Sequence, residues 1–404
     1  MADLRPFQAF RPRRDLAASV ASPPYDVLST AEARALAEGK PSSFLHVSRA
    51  EVDLPEGVDD HSDEVHERAK QNLLDFVQEG VLVQDQEPHL YLYAQTMGDH
   101  RQIGVVACAS VAEYDKGTIK KHEKTRADKE DDRTRHIETL AAHDEPVFLT
   151  YRATPAIDAL VADIVAVPGA IEFTTDDGVH HEVWILSRGA TAELVASFAA
   201  VPSLYVADGH HRSAAASRVH KSLRGDGAQH DAFLAVVFPH DQMKIMAYNR
   251  VVRDPQRRST GEIVRALEAV VDFVDGDAPV PEKAKELGIY VGGRWRRARF
   301  RPGTWDASDP VASLDASICQ ASILAPLFAV NDPRKDTHID FVGGIRGHAE
   351  LARRVDSGDF DLAIHLHPTS IEELMKVSDA DLLMPPKSTW FEPKLRSGLF
   401  VHTF

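Results

Sequence analysis

The sequence is short of several things at once. Its 404 residues contain two cysteines, Cys108 and Cys319. They stand far apart, each inside an apolar stretch, so neither a disulfide framework nor a cysteine zinc site can be assembled from them. That usage fits a reducing, cytoplasmic setting. No stretch of about 18 apolar residues occurs, and the N-terminal segment has no basic run followed by an apolar one, so no membrane span or export signal is expected. Positive charge is scarce: 46 Lys and Arg face 62 Asp and Glu, a formal charge of −16. An excess of that sign opposes binding to phosphate backbones and anionic lipid, which relies on Lys and Arg displacing counterions. Neither nucleic acid nor membrane is expected as a partner. There is no Walker loop, and no glycine triplet follows a strand in the dinucleotide fingerprint.

What is present reads as an ordinary globular composition, 43% hydrophobic and 27% charged. The length suggests two or three units, each able to bury its own core. Ser22-Pro23-Pro24-Tyr25-Asp26-Val27 is an extended turn, since the prolines exclude helix. Thr30 reads as the N-cap of a helix over 31–37. Helical spacing runs from Glu64 to Val81 and stops at Gly80. Strands are expected over 89–94 and 102–111 around Gly98-Asp99, over 145–151, and in a hairpin of 171–175 with 181–186 turning at Asp177-Gly178. Helices are expected over 128–142, 192–199 and 213–220, strands over 203–207 and 232–238, and the segment 245–250 completes the central mixed α/β unit. A boundary near residue 255 separates 1–255 from 256–404. The second part reads as a helix over 261–271, a hairpin through Gly292-Gly293 with an exposed-looking Arg294 to Arg301, and further helices and strands ending in a strand over 399–404. The whole is an α/β mixed-sheet protein.

Three segments carry chemistry. Asp208-Gly209-His210-His211-Arg212 joins an apolar strand to a small-residue helix. A glycine turn there exposes backbone N–H groups and the positive end of the helix dipole, and Arg212 and two imidazoles add donors suited to phosphate oxygens. The plainer reading is a tight turn with packed histidines and Asp208 as a helix cap. Adjacent histidines at such a junction point apart, which disfavours zinc. The second segment, Thr118 to Arg126, sets Glu123 among cations, which keep a carboxylate ionised; it is either a catalytic carboxylate or part of a solvated charged face. Arg126 stands where a zincin helix would need its second histidine. The third, Met384-Pro385-Pro386-Lys387-Ser388-Thr389-Trp390-Phe391-Glu392-Pro393-Lys394, is a stiff loop presenting polar side chains, either a further anion site or a rigid surface loop.

Pro23 to Val27, Ile119-Lys120 with His122-Glu123 and Thr125, Ala207 to Arg212, Tyr248-Asn249-Arg250 and Met384 to Lys394 together resemble the bacterial and archaeal domain-of-unknown-function family ten-fifteen, over nearly the whole chain. The central part is similar to the ParB/sulfiredoxin-like fold, which implies such a core with N-terminal and C-terminal α/β elaborations. In that fold a glycine–histidine–arginine turn before a helix binds nucleotide phosphates, and free serine kinases use the same Asp-Gly-His-His-Arg turn. The resemblance therefore implies an ATP-dependent kinase, with ADP an alternative donor and Mg²⁺ as cofactor, acting on L-serine or a similar small alcohol. It assigns Gly209, His210, His211 and Arg212, with Lys120 and Arg250 as neighbours, to the nucleotide. It assigns Asp208 to the turn or to Mg²⁺, and Glu123, with Arg133 in the following helix, to the serine hydroxyl as base. Tyr25, Asp26, Lys387, Ser388, Thr389, Glu392 and Lys394 would close the substrate side. The segment between Pro146 and Leu204 is longer than in the compact kinases. A DNA-partitioning role is opposed by the charge, and a sulfinic acid reductase lacks its cysteine, since the turn has His210. A phosphatase or nucleotide hydrolase on the same cradle, and a non-catalytic nucleotide-responsive module, are the alternatives. A homo-oligomer is left open.

Overall fold

A computed structural model describes residues 2–223 and 229–404. The chain divides into two compact units. The first comprises Met1–Lys121, Thr125–Met243 and Pro393–Phe404; the second comprises His122–Lys124 and Lys244–Glu392. The main crossing thus falls between Met243 and Lys244, twelve or so residues before the expected boundary, and the last residues return to the first unit.

The first unit is built on a mixed sheet. Its strands, in chain order, are β1 (Leu4–Arg5), β2 (Tyr91–Met97), β3 (His100–Ser110), β4 (Ile119–Lys120), β5 (Val147–Tyr151), β6 (Ile171–Thr174), β7 (His180–Ile185), β8 (Leu204–Asp208) and β9 (Ala232–Pro239). In space they run β4-β8-β5-β9-β3-β2-β7-β6, with β1 on β3. β8 is parallel to β4 and β9 to β5, while β8 and β5 are antiparallel. Helices α1 (Thr30–Ala37), α2 (Asp63–Gln78), α3 (Ala127–Leu140), α4 (Arg188–Phe198) and α5 (His210–Leu223) accompany it. β9 is buried at all eight positions, which explains its continuous apolar run: a strand covered on both faces has no solvent side to mark with polar residues. Leu149, Val206, Val237, Leu194 and Phe198 belong to one core cluster, each such side chain contributing about 1.5–3 kcal/mol on burial. Ile137, Ala215 and Val219 form a smaller cluster joining α3 to α5.

The second unit holds a six-stranded antiparallel sheet. The strands of the unit are β10 (Lys244–Met246), β11 (Tyr248–Val252), β12 (Val271–Val274), β13 (Glu286–Val291), β14 (Arg294–Phe300), β15 (Ile339–Gly343), β16 (Leu362–Leu366) and β17 (Trp390–Glu392), of which β11 to β16 make this sheet. The order is β12-β14-β13-β16-β11-β15, and β10 pairs separately with β17. Helices α6 (Thr260–Glu268), α7 (Asp315–Cys319), α8 (Gly347–Asp356) and α9 (Ile371–Asp379) accompany it. Gly292 and Gly293, φ 61° and 74°, make the two-residue turn between β13 and β14, as a hairpin with both central residues at positive φ requires.

Several local expectations shift for identifiable reasons. Ser29, not Thr30, caps α1, because Glu32 completes a capping box with it. α4 starts at Arg188, capped by Ser187. The segment 245–250 divides between β10 and β11, which belong to different sheets. Arg294 to Arg301 is not simply exposed, since Ala298 and Phe300 are buried and Arg297 and Arg299 share Glu286. The tail forms only a two-residue strand, His402–Thr403. Both cysteines are free and buried. Among the described residues no helix is long and apolar enough to cross a membrane.

Candidate active site at the Asp208 turn

β8 ends at Asp208, and α5 begins at His210, three residues earlier than helical spacing suggested. Between them Gly209 has φ 92°, and a Cβ there would stand 3.1 Å from Nε and Cζ of Arg212. Glycine is therefore required twice, by backbone conformation and by the guanidinium filling the space beneath it. The Gly209 N–H donates to Asp208 Oδ1 at 2.8 Å. The Ser213 N–H donates to the Gly209 carbonyl at 3.0 Å and opens the helix. His210, His211 and Arg212 thus occupy the first turn of a fourteen-residue helix, where the macrodipole and the first N–H groups favour an anion.

Asp208 does not cap the helix. Its Oδ2 takes Lys394 Nζ at 2.9 Å, a pairing across 186 residues. Burial opposes ionisation, but Lys394 and Arg212 outweigh it and hold the carboxyl well below the usual carboxylate range. Lys394 is steadied in turn: Gln95 Nε2 donates to its carbonyl at 2.8 Å, and Gln102 Nε2 donates to Gln95 Oε1 at 3.1 Å. A divalent cation at Oδ2 would share it with the Lys394 ammonium, so Asp208 is arranged as an ion-paired anchor rather than as a ready Mg²⁺ ligand.

Arg212 also departs from expectation, because it reaches inward. It is 7% exposed, its Nη1 donates to the Pro146 carbonyl at 2.5 Å, and its Nη2 lies 3.8 Å from Asp26. Against the cost of burial, Asp26, Asp208 and Glu145 hold it protonated. Arg212 therefore supports the turn from beneath. His211 is half-buried, and its Nε2 accepts from the Arg126 N–H at 3.2 Å, which requires the lone pair and so selects the neutral Nδ1–H tautomer. His210 is buried, and its carbonyl accepts from Ser213 Oγ at 3.1 Å.

Sequence reasoning missed the support beneath this turn. Glu145, 6% exposed, accepts from the Tyr25 N–H at 3.0 Å and from Ser397 Oγ at 2.8 Å through one oxygen, joining three distant segments. Burial first and neighbouring Asp144 second raise its carboxyl to about 7. Arg133 stacks on the Tyr25 ring at 4.1 Å, and His136 Nε2 meets Asp144 at 3.0 Å. Glu145, Arg133, His136 and Asp144 line a cavity of about 10 Å³ with Arg212, room for about one water centre. The available signal was Glu145-Pro146 opening an apolar strand, a charged residue at the mouth of a buried element.

The first unit thus gathers Tyr25, Asp26, Asp208 to Arg212 and Lys394. Lys120 lies on β4 beside Tyr205 of β8. Because β4 and β8 are parallel, the chain leaves both at the same edge of the sheet. Glu123 belongs to the short segment between Lys121 and Thr125 that groups with the second unit. It is three residues from Arg126, whose N–H meets His211. Arg250, Lys387, Ser388, Thr389 and Glu392 also belong to the second unit, so the loop expected to act as one piece divides between Glu392 and Pro393. Ser388 Oγ donates to the Pro385 carbonyl at 2.7 Å, and Glu392 accepts from Trp390 Nε1 at 2.7 Å.

Among solved structures the chain is similar to a conserved hypothetical protein from Pyrococcus furiosus, at 13% identity and a TM-score of 0.37, over 74% of this chain and 95% of that one. It is similar to a free serine kinase in complex with AMP, at 13% identity and a TM-score of 0.36, over 71% and 86%. A C-terminally truncated SbnI from Staphylococcus aureus matches at 12% identity and 0.37, over 74% and 87%. No curated protein sequence matches it. The family model described as "Protein of unknown function (DUF1015)" matches residues 4–317, and the chain belongs to that family.

Proposed function

We propose that the chain is an ATP-dependent phosphotransferase acting on a free, small, alcohol-bearing amino acid, with L-serine the leading acceptor and O-phospho-L-serine and ADP the products. The observation that carries the reading is the Asp208-Gly209 turn at the end of β8, which opens directly into the first turn of α5 and is braced by Arg212 and Lys394. Phosphoryl transfer asks a protein to position groups and neutralise charge, and a preorganised turn at a long helix's N-terminus supplies both. The α5 N–H groups and His211 would meet the nucleotide phosphates. Glu123, three residues along the chain from the Arg126–His211 contact, is the candidate base; three extended residues reach about 10 Å. Mg²⁺ would supply charge neutralisation on the phosphates; the ion-paired state of Asp208 supports its entry bound to the nucleotide rather than to a prepared carboxylate. The choice of serine rests on the motif resemblance.

The test is incubation of purified protein with ATP, Mg²⁺ and L-serine against a serine-free control, following phosphoserine and ADP together. Equal, serine-dependent formation of both supports the kinase, and Glu123→Gln should then abolish turnover while nucleotide still binds. ADP with free phosphate and no phosphoserine would replace it with a hydrolase. Nucleotide binding without turnover would leave a ligand-responsive module.

A further inference from the structure

The second unit contains a buried cation with no counter-charge. Arg250 on β11 is 3% exposed. Among the described residues no carboxylate pairs with it: Nη1 donates to the Tyr248 carbonyl and Nε has no partner. In the same unit Arg258, Arg297 and Arg354 each meet an acid. Burial pulls Arg250 below its ordinary value, and only Cys319 and Tyr248 oppose that pull. The Cys319 thiol, raised by burial to about 12, stays neutral and supplies no negative charge. A buried guanidinium left uncompensated is costly to the fold, and a planar fork of donors is matched by an oxyanion.

Around the guanidinium lie aromatic rings and a second cation rather than acids. Phe341, the cross-strand partner of Arg250, lies 5.4 Å from its guanidinium. Tyr248, two residues away on the same face of β11, meets Phe341 at 6.0 Å and Trp390 at 5.2 Å between ring centroids. All three rings are half-buried, and exposed Lys387 places Nζ 5.3 Å over Tyr248. Two backbone features accompany this packing. A Cβ at Gly343 would stand 2.7 Å from the Trp390 ring, so glycine lets the indole lie on the backbone. Lys387 has φ 58°, a conformation that a non-glycine residue adopts at a cost and that concentrates at functional sites.

We propose that Arg250, with the Tyr248, Phe341 and Trp390 rings and Lys387, forms a binding site for the oxyanion, phosphate or carboxylate, of a small organic ligand. The proposal goes beyond the phosphotransferase reading and does not depend on it, because the charge on Arg250 needs a partner whatever reaction the turn at Asp208 performs.

The test titrates the full chain, at constant ionic strength set with chloride, with inorganic phosphate, AMP, acetate and L-serine, reading tryptophan emission and thermal midpoint. Expected is a saturable emission change that Trp390→Phe removes, together with a rise in the midpoint. Arg250→Gln should weaken that binding at least about tenfold and cancel the rise. In the part of the response that Trp390→Phe removes and Arg250→Gln weakens, a signal from the first two ligands identifies phosphate and from the last two carboxylate, and AMP exceeding inorganic phosphate shows that the rings contribute; a signal untouched by both variants belongs to the turn at Asp208. Silence of the wild-type protein to all four overturns the proposal, as does binding that persists unchanged in Arg250→Gln. Should that variant fail to fold by circular dichroism, Arg250→Lys decides: it keeps the charge but loses the fork, and unaltered affinity in it would count against the site.

Discussion

Arg212 and Arg250 are the same residue type in nearly the same degree of burial, 7% and 3% exposed, yet they sit in opposite electrostatic surroundings. Arg212 is ringed by Asp26, Asp208 and Glu145 and is held more firmly protonated than in water. Arg250 faces rings, a neutral thiol and one carbonyl, and is pulled the other way. What differs is the company each keeps, and that company separates a guanidinium that builds a turn from one suited to receive a ligand. A buried charge is strongly favourable to keep only when its partners are also buried and would be orphaned without it.

Removing Arg212 is therefore expected to have the largest effect. Arg212→Ala should destabilise the first unit by about 3–5 kcal/mol, since it takes a buried cation away from buried Glu145 and half-buried Asp208 and vacates the space beneath Gly209, and the urea midpoint should fall accordingly. An unchanged midpoint would erase the contrast between the two arginines. Gly209→Ala comes next, at about 1–3 kcal/mol, because it forces a side chain into φ 92° and against the Arg212 guanidinium. If Gly209→Ala loses nucleotide affinity while keeping most of its stability, the turn serves the ligand more than the fold.

A smaller effect sharpens the comparison through pH. The Glu145 carboxyl is raised from 4.5 to about 7, by burial first and Asp144 second. Its contribution to stability is complete below about 4.5 and is lost as pH climbs toward 7, because the folded state resists an ionisation that the unfolded chain accepts. Thermal midpoints measured across that window should show a decline in the wild-type protein that Glu145→Gln flattens. Asp208, depressed by Lys394 and Arg212 against burial, contributes in the opposite sense at acid pH, and Asp208→Asn should blunt the loss of stability below its ordinary range. The smallest stability change is expected for Arg250→Met, neutral or up to about 1 kcal/mol stabilising in ligand-free protein. A loss comparable with that of Arg212→Ala would show that Arg250 has a structural partner after all.

The local layer of this architecture was open to pattern reading. β9 and β8 stand out as apolar runs, α3 as a charged amphipathic stretch, and the β2–β3, β6–β7 and β13–β14 hairpins by their glycines. Each is decided by neighbours a few residues apart, through side-chain period and the φ that glycine permits. The turn at Asp208 was legible for the same reason, as a glycine between a strand and a helix. The helix start was misplaced because His210, His211 and Arg212 look like surface residues when read singly. In fact His210 and Arg212 are buried.

Pairings across long separations had no such signature. Nothing near Lys394 points to Asp208, 186 residues away. Nothing near Glu145 reveals that Tyr25 and Ser397 converge on one of its oxygens. The division of 245–250 between two sheets was hidden because both halves are extended, and the alternation of an extended chain does not say which partner it will find. Composition and local pattern thus settled the class of protein, its strands and helices, and the turn on which an anion can sit, since those depend on short-range sterics and burial. Only the folded chain decided which charges meet, because the energy of a buried ion depends on every group brought around it, and those groups come from segments that the order of residues leaves far apart.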